Sequence, residues 1–242
     1  MTNWVVRGLR KGRQSSRYPS RPERAPGVTP GRPAATPMTP DEARRLAAVC
    51  PTAALSPGSQ GLAIDYTRCV QCQRCRTGDR PARWDESYEW AVEETEKAGW
   101  IAKAFSRSLH VRLVDAGACG ACLGEAGLLD SPRYNFHRLG IFFTPSPRNA
   151  DVLLVAGPVS ENMRAALLTA FEAMPEPKRV VAMGVCAING GVFGRSFASA
   201  GGAKAVIPVD IVIPGCPPPP LAVIHGLLLA AGRVASSSLE VG

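Results

Sequence analysis

DVLLVAGPVSENMRAALLTAFEAMPEPKRVVAM fills residues 151–183 and places a helical pattern between two mostly apolar runs. Residues 151–156 and 178–183 each predict a short buried strand, because turn-forming residues bound them. Residues 160–174 predict a helix whose amino end is capped by Ser160. A strand, a helix and a second strand in this order are typical of a parallel sheet covered by helices. The stretch therefore predicts an α/β fold.

The same pattern continues on both sides of this unit. Residues 107–115 predict an earlier strand, and residues 205–213 predict a later one. Residues 219–234 predict a closing helix that begins with prolines, which are tolerated in a first turn. We therefore predict a flavodoxin-like parallel sheet with helices on both faces for residues 107–235.

One group of four cysteines follows the predicted strands of this sheet. The carboxyl ends of parallel strands meet at one edge, so we expect these thiols to lie close together in the fold. Thiolates are ligands that suit zinc or iron–sulfur clusters. A Rossmann-like nucleotide domain with incidental cysteines is the alternative, but no GxGxxG follows the first strand. The cysteines of this sheet-edge group are Cys119, Cys122, Cys186 and Cys216.

The other four cysteines lie earlier in the chain and are called the first cysteine group. Residues 66–75 read YTRCVQCQRC, with three cysteines at two-residue gaps, and Asp79 stands where a ferredoxin would place the next one. In bacterial ferredoxins a cysteine followed by proline ligates the other cluster, so Cys50-Pro51 belongs with a distant run. The predicted ligands of a ferredoxin-type [4Fe–4S] site are therefore Cys50, Cys69, Cys72 and Cys75.

The segment between Cys50 and the three-cysteine run predicts a β-hairpin. Leu55 lies in its first strand, Pro57-Gly58 and Gln60-Gly61 form its turn, and residues 62–64 lead back. No cysteines precede Cys50, so this region resembles half of a bacterial-type ferredoxin and we expect it to keep a single [4Fe–4S] cluster. Zinc is the rival ligand, but zinc ribbons usually pair two CxxC knuckles.

Composition and charge restrict the remaining possibilities. The 242 residues are 45% apolar and 20% charged, as in ordinary globular proteins. The net charge is +8, and residues 1–40 carry eight basic residues against one acidic residue, a balance of 8 − 1 = +7. Such a segment can bind nucleic acid, anionic lipid or an acidic protein groove, or be a solvated extension. Prolines after residue 17 disfavour a continuous helix there.

The protein is expected to be cytoplasmic. No apolar run reaches the roughly 18 residues of a membrane span, and the basic start of the chain lacks the apolar stretch of a signal peptide.

The sequence predicts four parts. They are a basic extended tail at 1–38, a ferredoxin-like domain at 39–82, an acidic helical linker at 83–106 and the α/β domain at 107–235.

The sheet-edge cysteines and their surroundings resemble a known family. The matching segments, in order, are CGACLGE, SPRYNFHRLGI, SPRNADVLLVAGPV, MPEPKRVVAMGVCAINGGVF and VDIVIPGCPPPP. They resemble the small electron-transfer subunit of energy-converting, formate-hydrogenlyase-type [NiFe]-hydrogenases, to which a subunit of respiratory complex I is related. The resemblance covers residues 108–232.

The resemblance implies roles for several residues. The four sheet-edge cysteines would hold one [4Fe–4S] cluster next to the active site or quinone site of a partner large subunit. Glu125 matches an acidic position of the family and would help protons move at that interface or satisfy nearby polar groups. Pro219 stands where the family usually has arginine, a departure that bears on partner contacts or cluster tuning. With the ferredoxin-type site, the chain would hold two [4Fe–4S] clusters.

The expected function is electron transfer within a membrane-associated hydrogenase complex. The chain would relay electrons between a NiFe-bearing large subunit and other iron–sulfur subunits, with no small-molecule substrate of its own. It would lie on the cytoplasmic face of the inner membrane, attached through integral membrane subunits. Residues 3–19, NWVVRGLRKGRQSSRYP, resemble the leader of ferredoxin-type subunits, which favours a protein groove over nucleic acid for the basic tail.

Two other functions compete with this one. A subunit of a complex I-like quinone oxidoreductase would pair with a large subunit that lacks a NiFe centre. The two-residue gap between Cys119 and Cys122 is the hydrogenase-like form, whereas the related complex I protein has adjacent cysteines. A zinc- or cluster-bearing regulator would use the basic tail to bind nucleic acid, with a salt-dependent affinity.

Overall fold

The computed structural model describes residues 3–23, 31–59, 61–77, 81–95 and 104–239. Its first element is helix α1 (Asn3–Lys11), in which no residue is buried. The prediction of an extended tail at 1–38 is therefore wrong for this segment, because no proline interrupts it and its apolar residues recur at helical spacing. Part of the predicted tail, residues 24–30, lies outside the described residues.

The chain after α1 is fastened to the rest of the protein. Ser16 and Tyr18 are buried, and Tyr18 belongs to the main apolar core. The backbone amide of Ser16 donates to the carbonyl of Arg133 over 2.6 Å, and the guanidinium of Arg138 donates to the carbonyl of Tyr18. These bonds hold the start of the chain against the α/β domain.

The elements around the first cysteine group form a small unit. They are β1 (Arg32–Pro33), α2 (Pro40–Ala48), β2 (Leu55–Gly58), β3 (Gly61–Ile64) and β4 (Trp84–Asp85). Strands β2 and β3 pair antiparallel, which confirms the predicted hairpin, although Gln60 of its turn lies outside the described residues. β1 pairs antiparallel with β4. α2 begins with a capping box in which Thr39 and Glu42 satisfy each other's backbone amides.

The predicted helical linker at 83–106 is wrong for residues 83–95. Residues 84–85 form β4, and Val92–Glu93 form a further strand, β5. Trp90 is fully buried, and the backbone amide of Ala91 donates to Nδ1 of His225. Tertiary packing thus outweighs the helical propensity of this acidic segment. Residues 96–103 of the predicted linker lie outside the described residues.

A six-stranded sheet forms the centre of the α/β domain. After β5 its strands are β6 (Leu109–Asp115), β7 (Ile141–Phe143), β8 (Val152–Ala156), β9 (Arg179–Met183) and β10 (Ile211–Ile213), in the spatial order β5-β10-β9-β8-β6-β7. β6 to β10 run parallel, and β5 is antiparallel at one edge. The parallel strands follow the order 2-1-3-4-5 of flavodoxin-like folds. The predicted sheet is therefore confirmed.

Helices cover both faces of this sheet. The helices are α3 (Ala121–Leu128), α4 (Glu161–Glu172), α5 (Val185–Asn189) and α6 (Pro220–Ala230). Alternate residues of β8 divide between two cores: Leu154 packs with α3 and α6, and Leu153 packs with α4 and α5. Every residue of β8 and β9 is buried, as expected for central strands of a parallel sheet.

The predicted strand at 205–213 is shorter in the structure. Only Ile211–Ile213 form β10, and residues 203–205 form a 3-10 turn. Pro208 cannot donate a ladder hydrogen bond, and the carboxylate of Asp210 accepts from the backbone amide of Val180 over 2.8 Å. Within the described residues, no helix is both long and apolar enough to cross a membrane.

Candidate metal centres

The sheet-edge cysteines stand at the carboxyl ends of three parallel strands. Cys119 lies in the loop after β6, and Cys216 lies in the loop after β10. Cys122 lies in the first turn of α3 and Cys186 in α5, so these two are helical rather than in loops as the sequence indicated. The strand order places all four on the same edge of the sheet.

The thiols of this group are close enough to affect one another's ionisation. Burial raises the pKa of Cys122 to about 12, with further contributions from Cys216, Cys186 and Cys119. Burial also raises the pKa of Cys186 to about 11. A buried thiol without a positive partner stays protonated, whereas a coordinated metal stabilises its thiolate. The site therefore suits a group that brings positive charge to the four sulfurs.

Two glycines bring the backbone directly against these thiols. Gly184 has a φ of +85°, and a Cβ built on it would lie 2.8 Å from Sγ of Cys122. A Cβ on Gly191 would lie 2.8 Å from Sγ of Cys186. Both distances are shorter than van der Waals contact, so the chain can surround the thiols only with glycine at these positions.

The first cysteine group lines a single pocket. The pocket has a volume of about 330 Å³, counting the space open to solvent at its mouth, and Pro33 and Trp84 contribute to its wall. Gln71 and Gln73 separate the three clustered cysteines and have φ values of 54° and 64°. These left-handed residues turn the chain tightly. The cysteines that line the pocket are Cys50, Cys69, Cys72 and Cys75.

Backbone amides and burial act in opposite directions on the thiols of this pocket. Burial raises the pKa of Cys69 to about 11, against an opposing hydrogen bond from the amide of Gln71. Burial would also raise the pKa of Cys50, but hydrogen bonds from Thr52, Ala54 and Leu55 outweigh it and lower that pKa. The amide of Ala54 lies 3.2 Å from Sγ of Cys50. Amides aimed at sulfur are a feature of iron–sulfur sites, where they tune the potential.

The predicted groups of four are thus each brought together. Among the described residues, no three or more side chains of His, Cys, Asp and Glu are arranged to bind a metal ion directly. The structure offers a pocket lined by the thiols of the first cysteine group, and a sheet edge where the other four thiols raise one another's pKa and glycines lie against two of the sulfurs.

Glu125 and Pro219 occupy defined positions near the sheet-edge group. Glu125 lies on α3, three residues after Cys122, and its Oε2 is buried without a hydrogen-bond partner in the part of the chain that the structure describes. Burial raises the pKa of this carboxyl. Pro219 is buried at the amino end of α6, three residues after Cys216.

A hydrogen bond between the two cysteine-bearing regions could not be foreseen from the sequence. The side-chain amide of Asn189, on α5, donates to the hydroxyl of Thr67 over 3.0 Å. Thr67 is buried and lies two residues before Cys69, and its hydroxyl donates to Asp65 over 2.6 Å. This contact joins the helix of Cys186 to the turn of Cys69.

Exposed apolar side chains follow the helix of Cys186. Val192 and Phe193 are largely exposed, and Phe197 is 97% exposed. They belong to the segment that begins at Gly191, which itself lies against the sulfur of Cys186. Exposed apolar groups near a functional edge are typical of a protein–protein interface.

A known protein family matches the α/β domain. The family described as NADH ubiquinone oxidoreductase, 20 Kd subunit, matches residues 119–230. Formate hydrogenlyase subunit 7 of Escherichia coli (strain K12) is 40% identical over 132 residues, which are 54% of this chain and 52% of that protein. The probable membrane-bound hydrogenase subunit mbhJ of Pyrococcus furiosus is 39% identical over 135 residues, 56% of this chain and 81% of that protein.

A complex I protein matches the chain at a similar level. An NADH-quinone oxidoreductase subunit of Rhizobium meliloti (strain 1021) is 42% identical over 110 residues, 46% of this chain and 65% of that protein. The chain thus spans about half the length of the Escherichia coli relative. The first cysteine group, at 50–75, lies outside the residues that the family matches.

Proposed function

The chain belongs to the NADH ubiquinone oxidoreductase 20 Kd subunit family, and on this basis we propose that it is an iron–sulfur electron-transfer subunit of a membrane-associated, hydrogenase-type complex. It relays electrons between the active site of a partner large subunit and other redox subunits. One observation carries the proposal: four cysteines line one pocket, four others lie together at the sheet edge, and the hydrogen bond between Asn189 and Thr67 joins the segments that carry the two groups.

In this proposal the sheet-edge group holds one [4Fe–4S] cluster. The close approach of Gly184 and Gly191 to two of its sulfurs supports the assignment, since a bulky group then meets backbone instead of side chains. The proximity of the four thiols supports it further, because burial and mutual repulsion disfavour their thiolates and a coordinated metal centre would neutralise this charge. The ligands are Cys119, Cys122, Cys186 and Cys216.

The second cluster belongs to the pocket of the first cysteine group. The amide of Ala54 points at Cys50, and the amide of Gln71 bonds to Cys69. When bound, each cluster supplies a carrier for one electron. The role of the chain is to hold the thiols, aim amides at them and limit the access of water. The ligands are Cys50, Cys69, Cys72 and Cys75.

No NiFe centre or small-molecule substrate belongs to this chain in the proposal. All eight cysteines are assigned to the two clusters, and none forms a disulfide. The NiFe centre would therefore lie in the large subunit. The exposed apolar residues Val192, Phe193 and Phe197 support a surface near the sheet-edge group on which that large subunit docks. Glu125 has a raised pKa, and its Oε2 has no hydrogen-bond partner among the described residues, so it would carry protons near this interface.

The hydrogenase form of the proposal rests on the spacing of Cys119 and Cys122. Two residues separate them, and two of the relatives are named as a formate hydrogenlyase subunit and a membrane-bound hydrogenase subunit. The similarity to the NADH-quinone oxidoreductase subunit of Rhizobium meliloti favours the second candidate, a complex I-like protein whose large partner lacks nickel. In either case we place the chain at the cytoplasmic face of the inner membrane, held there with integral membrane subunits.

The test is anaerobic purification of the chain with its native partners, followed by metal and sulfide analysis. About eight irons and eight sulfides per chain are expected, with four of each in every cluster, and nickel in the large subunit. Iron in this chain without nickel in the large subunit would support the second candidate, the complex I-like protein. About two zinc ions per chain and no iron would contradict both electron-transfer assignments.

Two matched variants separate the sites. Cys50→Ser is expected to remove about four irons while the sheet-edge cluster remains, and Cys216→Ser is expected to do the reverse. Electron paramagnetic resonance of the reduced protein would then show one signal in each variant and both in the wild type. Loss of both signals from either variant would contradict the assignment of ligands to two separate sites.

A further inference from the structure

Helix α1 divides its surface into an apolar face and a basic face. Successive residues of a helix are rotated by about 100°, and on this projection the apolar and basic side chains occupy opposite arcs. The apolar arc is formed by Trp4, Val5, Val6 and Leu9. The basic arc is formed by Arg7, Arg10 and Lys11, and the helix has no acidic residue.

The apolar arc is not covered by the rest of the described chain. Trp4 is 77% exposed and Leu9 is 79% exposed, and no residue of α1 is buried. Helices of a soluble core bury such a face. An isolated helix of this length would also be marginal in water, so α1 calls for a surface that covers it.

We propose that α1 lies flat on an anionic lipid surface, with its apolar arc in the boundary between headgroups and acyl chains. This gives the chain a membrane contact of its own, in addition to any contact through partner subunits. Apolar and basic residues on different arcs, with tryptophan among the apolar residues, are features of interfacial helices. Trp4 is of the residue type that favours the headgroup level.

Charge complementarity favours lipid over nucleic acid as the occupant. The surface that α1 meets has to be apolar along one side of the helix and negative along the other, and an anionic bilayer provides both at the same depth. Nucleic acid would meet the basic arc but leave Trp4 and Leu9 exposed. The basic character also continues past the helix, where Arg13, Arg17 and Arg21 are exposed.

The fastening of the chain just after α1 fixes where this contact would be. Only residues 12–15 separate the helix from Ser16, whose amide bonds to the carbonyl of Arg133, and Tyr18 is buried in the core two residues later. A helix on the bilayer would therefore keep this side of the α/β domain near the membrane surface. The tether is too short to let the domain move far away, at about 3.5 Å per residue.

Binding of the anaerobically purified full chain to vesicles tests the proposal. The vesicles are phosphatidylcholine alone or an equal mixture of phosphatidylcholine and phosphatidylglycerol, and the measured quantity is the fraction that sediments with lipid. We expect binding to the mixed vesicles, weaker binding to phosphatidylcholine, and a decline as salt screens the charges.

The variants assign the binding to α1. Trp4→Ser with Leu9→Ser is expected to lower the partition coefficient by more than about tenfold. Replacing the three basic residues of α1 by glutamine is expected to lower it on the order of 100-fold. None of these side chains is buried, so the fold should persist. Phe197→Ser is the matched control, because Phe197 is also highly exposed but lies outside α1.

Three results would overturn the proposal. The first is a wild-type chain that does not bind mixed vesicles at low salt. The second is an equal loss of binding in the Phe197→Ser control and in the Trp4→Ser, Leu9→Ser variant. The third is a wild type that ignores vesicles while the α1 variants lose a co-purifying partner protein, which would assign α1 to a protein groove.

Discussion

The side-chain amide of Asn189 donates a 3.0 Å hydrogen bond to the hydroxyl of Thr67, and so joins the helix that carries Cys186 to the turn that carries Cys69. Thr67 is buried and its hydroxyl also donates to Asp65, so the contact has a fixed direction. If the two cysteine groups hold clusters, this hydrogen bond provides a direct route between the two ligand-bearing segments.

Asn189→Leu tests the importance of this contact. The variant keeps a similar volume but can neither donate to Thr67 nor accept from the amide of Gly191, so we expect it to lose about 2 kcal/mol of unfolding free energy and to slow electron transfer between the clusters while both remain assembled. Iron content and the electron paramagnetic resonance intensity of each cluster check that both clusters assemble. Rapid-freeze-quench electron paramagnetic resonance measures the rate of electron transfer between them. Thr67→Ser retains a hydroxyl and should behave like the wild type. Equal rates of electron transfer in Asn189→Leu and in the wild type would show that this hydrogen bond is not part of the electron-transfer route.

Gly184→Ala tests the crowding at the sheet-edge group. The added Cβ would lie 2.8 Å from Sγ of Cys122, at a residue with a φ of +85°. We therefore expect the loss of about four of the eight irons and of the corresponding sulfide. Gly124→Ala is the matched control, since α3 leaves open space around Gly124 and alanine favours helix by about 1 kcal/mol. Full iron content in Gly184→Ala would mean that the backbone can yield at this point.

Thr52→Val tests how this chain tunes the first cysteine group. The hydroxyl of Thr52 lies 3.7 Å from Sγ of Cys50 and contributes to the lowered pKa of that thiol. A hydrogen bond to sulfur stabilises the reduced cluster most, because that state is the more negative one. Loss of about 1 kcal/mol of this stabilisation should lower the potential on the order of 40 mV. A redox titration monitored by electron paramagnetic resonance measures the shift in potential. The sheet-edge cluster is the internal control, because its potential should not change.

The parts of the fold that could be predicted depend on local pattern. β8 and β9 were readable as buried apolar runs, and their parallel pairing placed Cys186 at the same edge as Cys119. The strands of the segment at 83–95 could not be predicted, because the burial of Trp90 and the pairing of β5 with β10 are tertiary effects. The acidic residues of this segment recur at helical spacing and therefore predicted a helix where the structure has strands.

The part of the candidate site that could be predicted was the division of the cysteines into two groups, since cysteine spacing indicates it directly; their role as cluster ligands stays a prediction. Their setting could not be predicted. The bond between Asn189 and Thr67 joins side chains that are 122 positions apart and leaves no periodic signal. The exposure of Trp4 and Leu9 was hidden for a different reason, since the basic residues and later prolines obscured a short helix that nothing in the described chain covers.

His225 provides a prediction about pH that concerns the fold alone. The histidine is buried, its Nδ1 accepts from the backbone amide of Ala91 over 3.1 Å, and its Nε2 faces the carbonyl of Ala235 over 3.1 Å. This arrangement requires a neutral ring with the proton on Nε2. Burial lowers the pKa of His225 below its usual 6.5, although the carbonyl of Ala235 and the charge of Glu89 oppose the shift.

The sign of the pH effect follows from the two states of His225. Above pH 6.5 the ring is neutral in both the folded and the unfolded chain, so its contribution to stability is complete. As the pH falls through 6.5 towards the lower folded pKa, only the unfolded chain takes up the proton, and the free energy of unfolding falls by up to about 1.4 kcal/mol per pH unit.

The variant His225→Gln tests this effect, because glutamine can still accept a hydrogen bond from the amide of Ala91 but does not titrate. Denaturant unfolding of wild type and variant at about pH 7.5 and about pH 5.5 cancels the contribution of every other group, including any cluster. We expect the stability of the wild type relative to the variant to decrease at the lower pH, and an unchanged difference would show that His225 keeps its ordinary pKa in the folded protein.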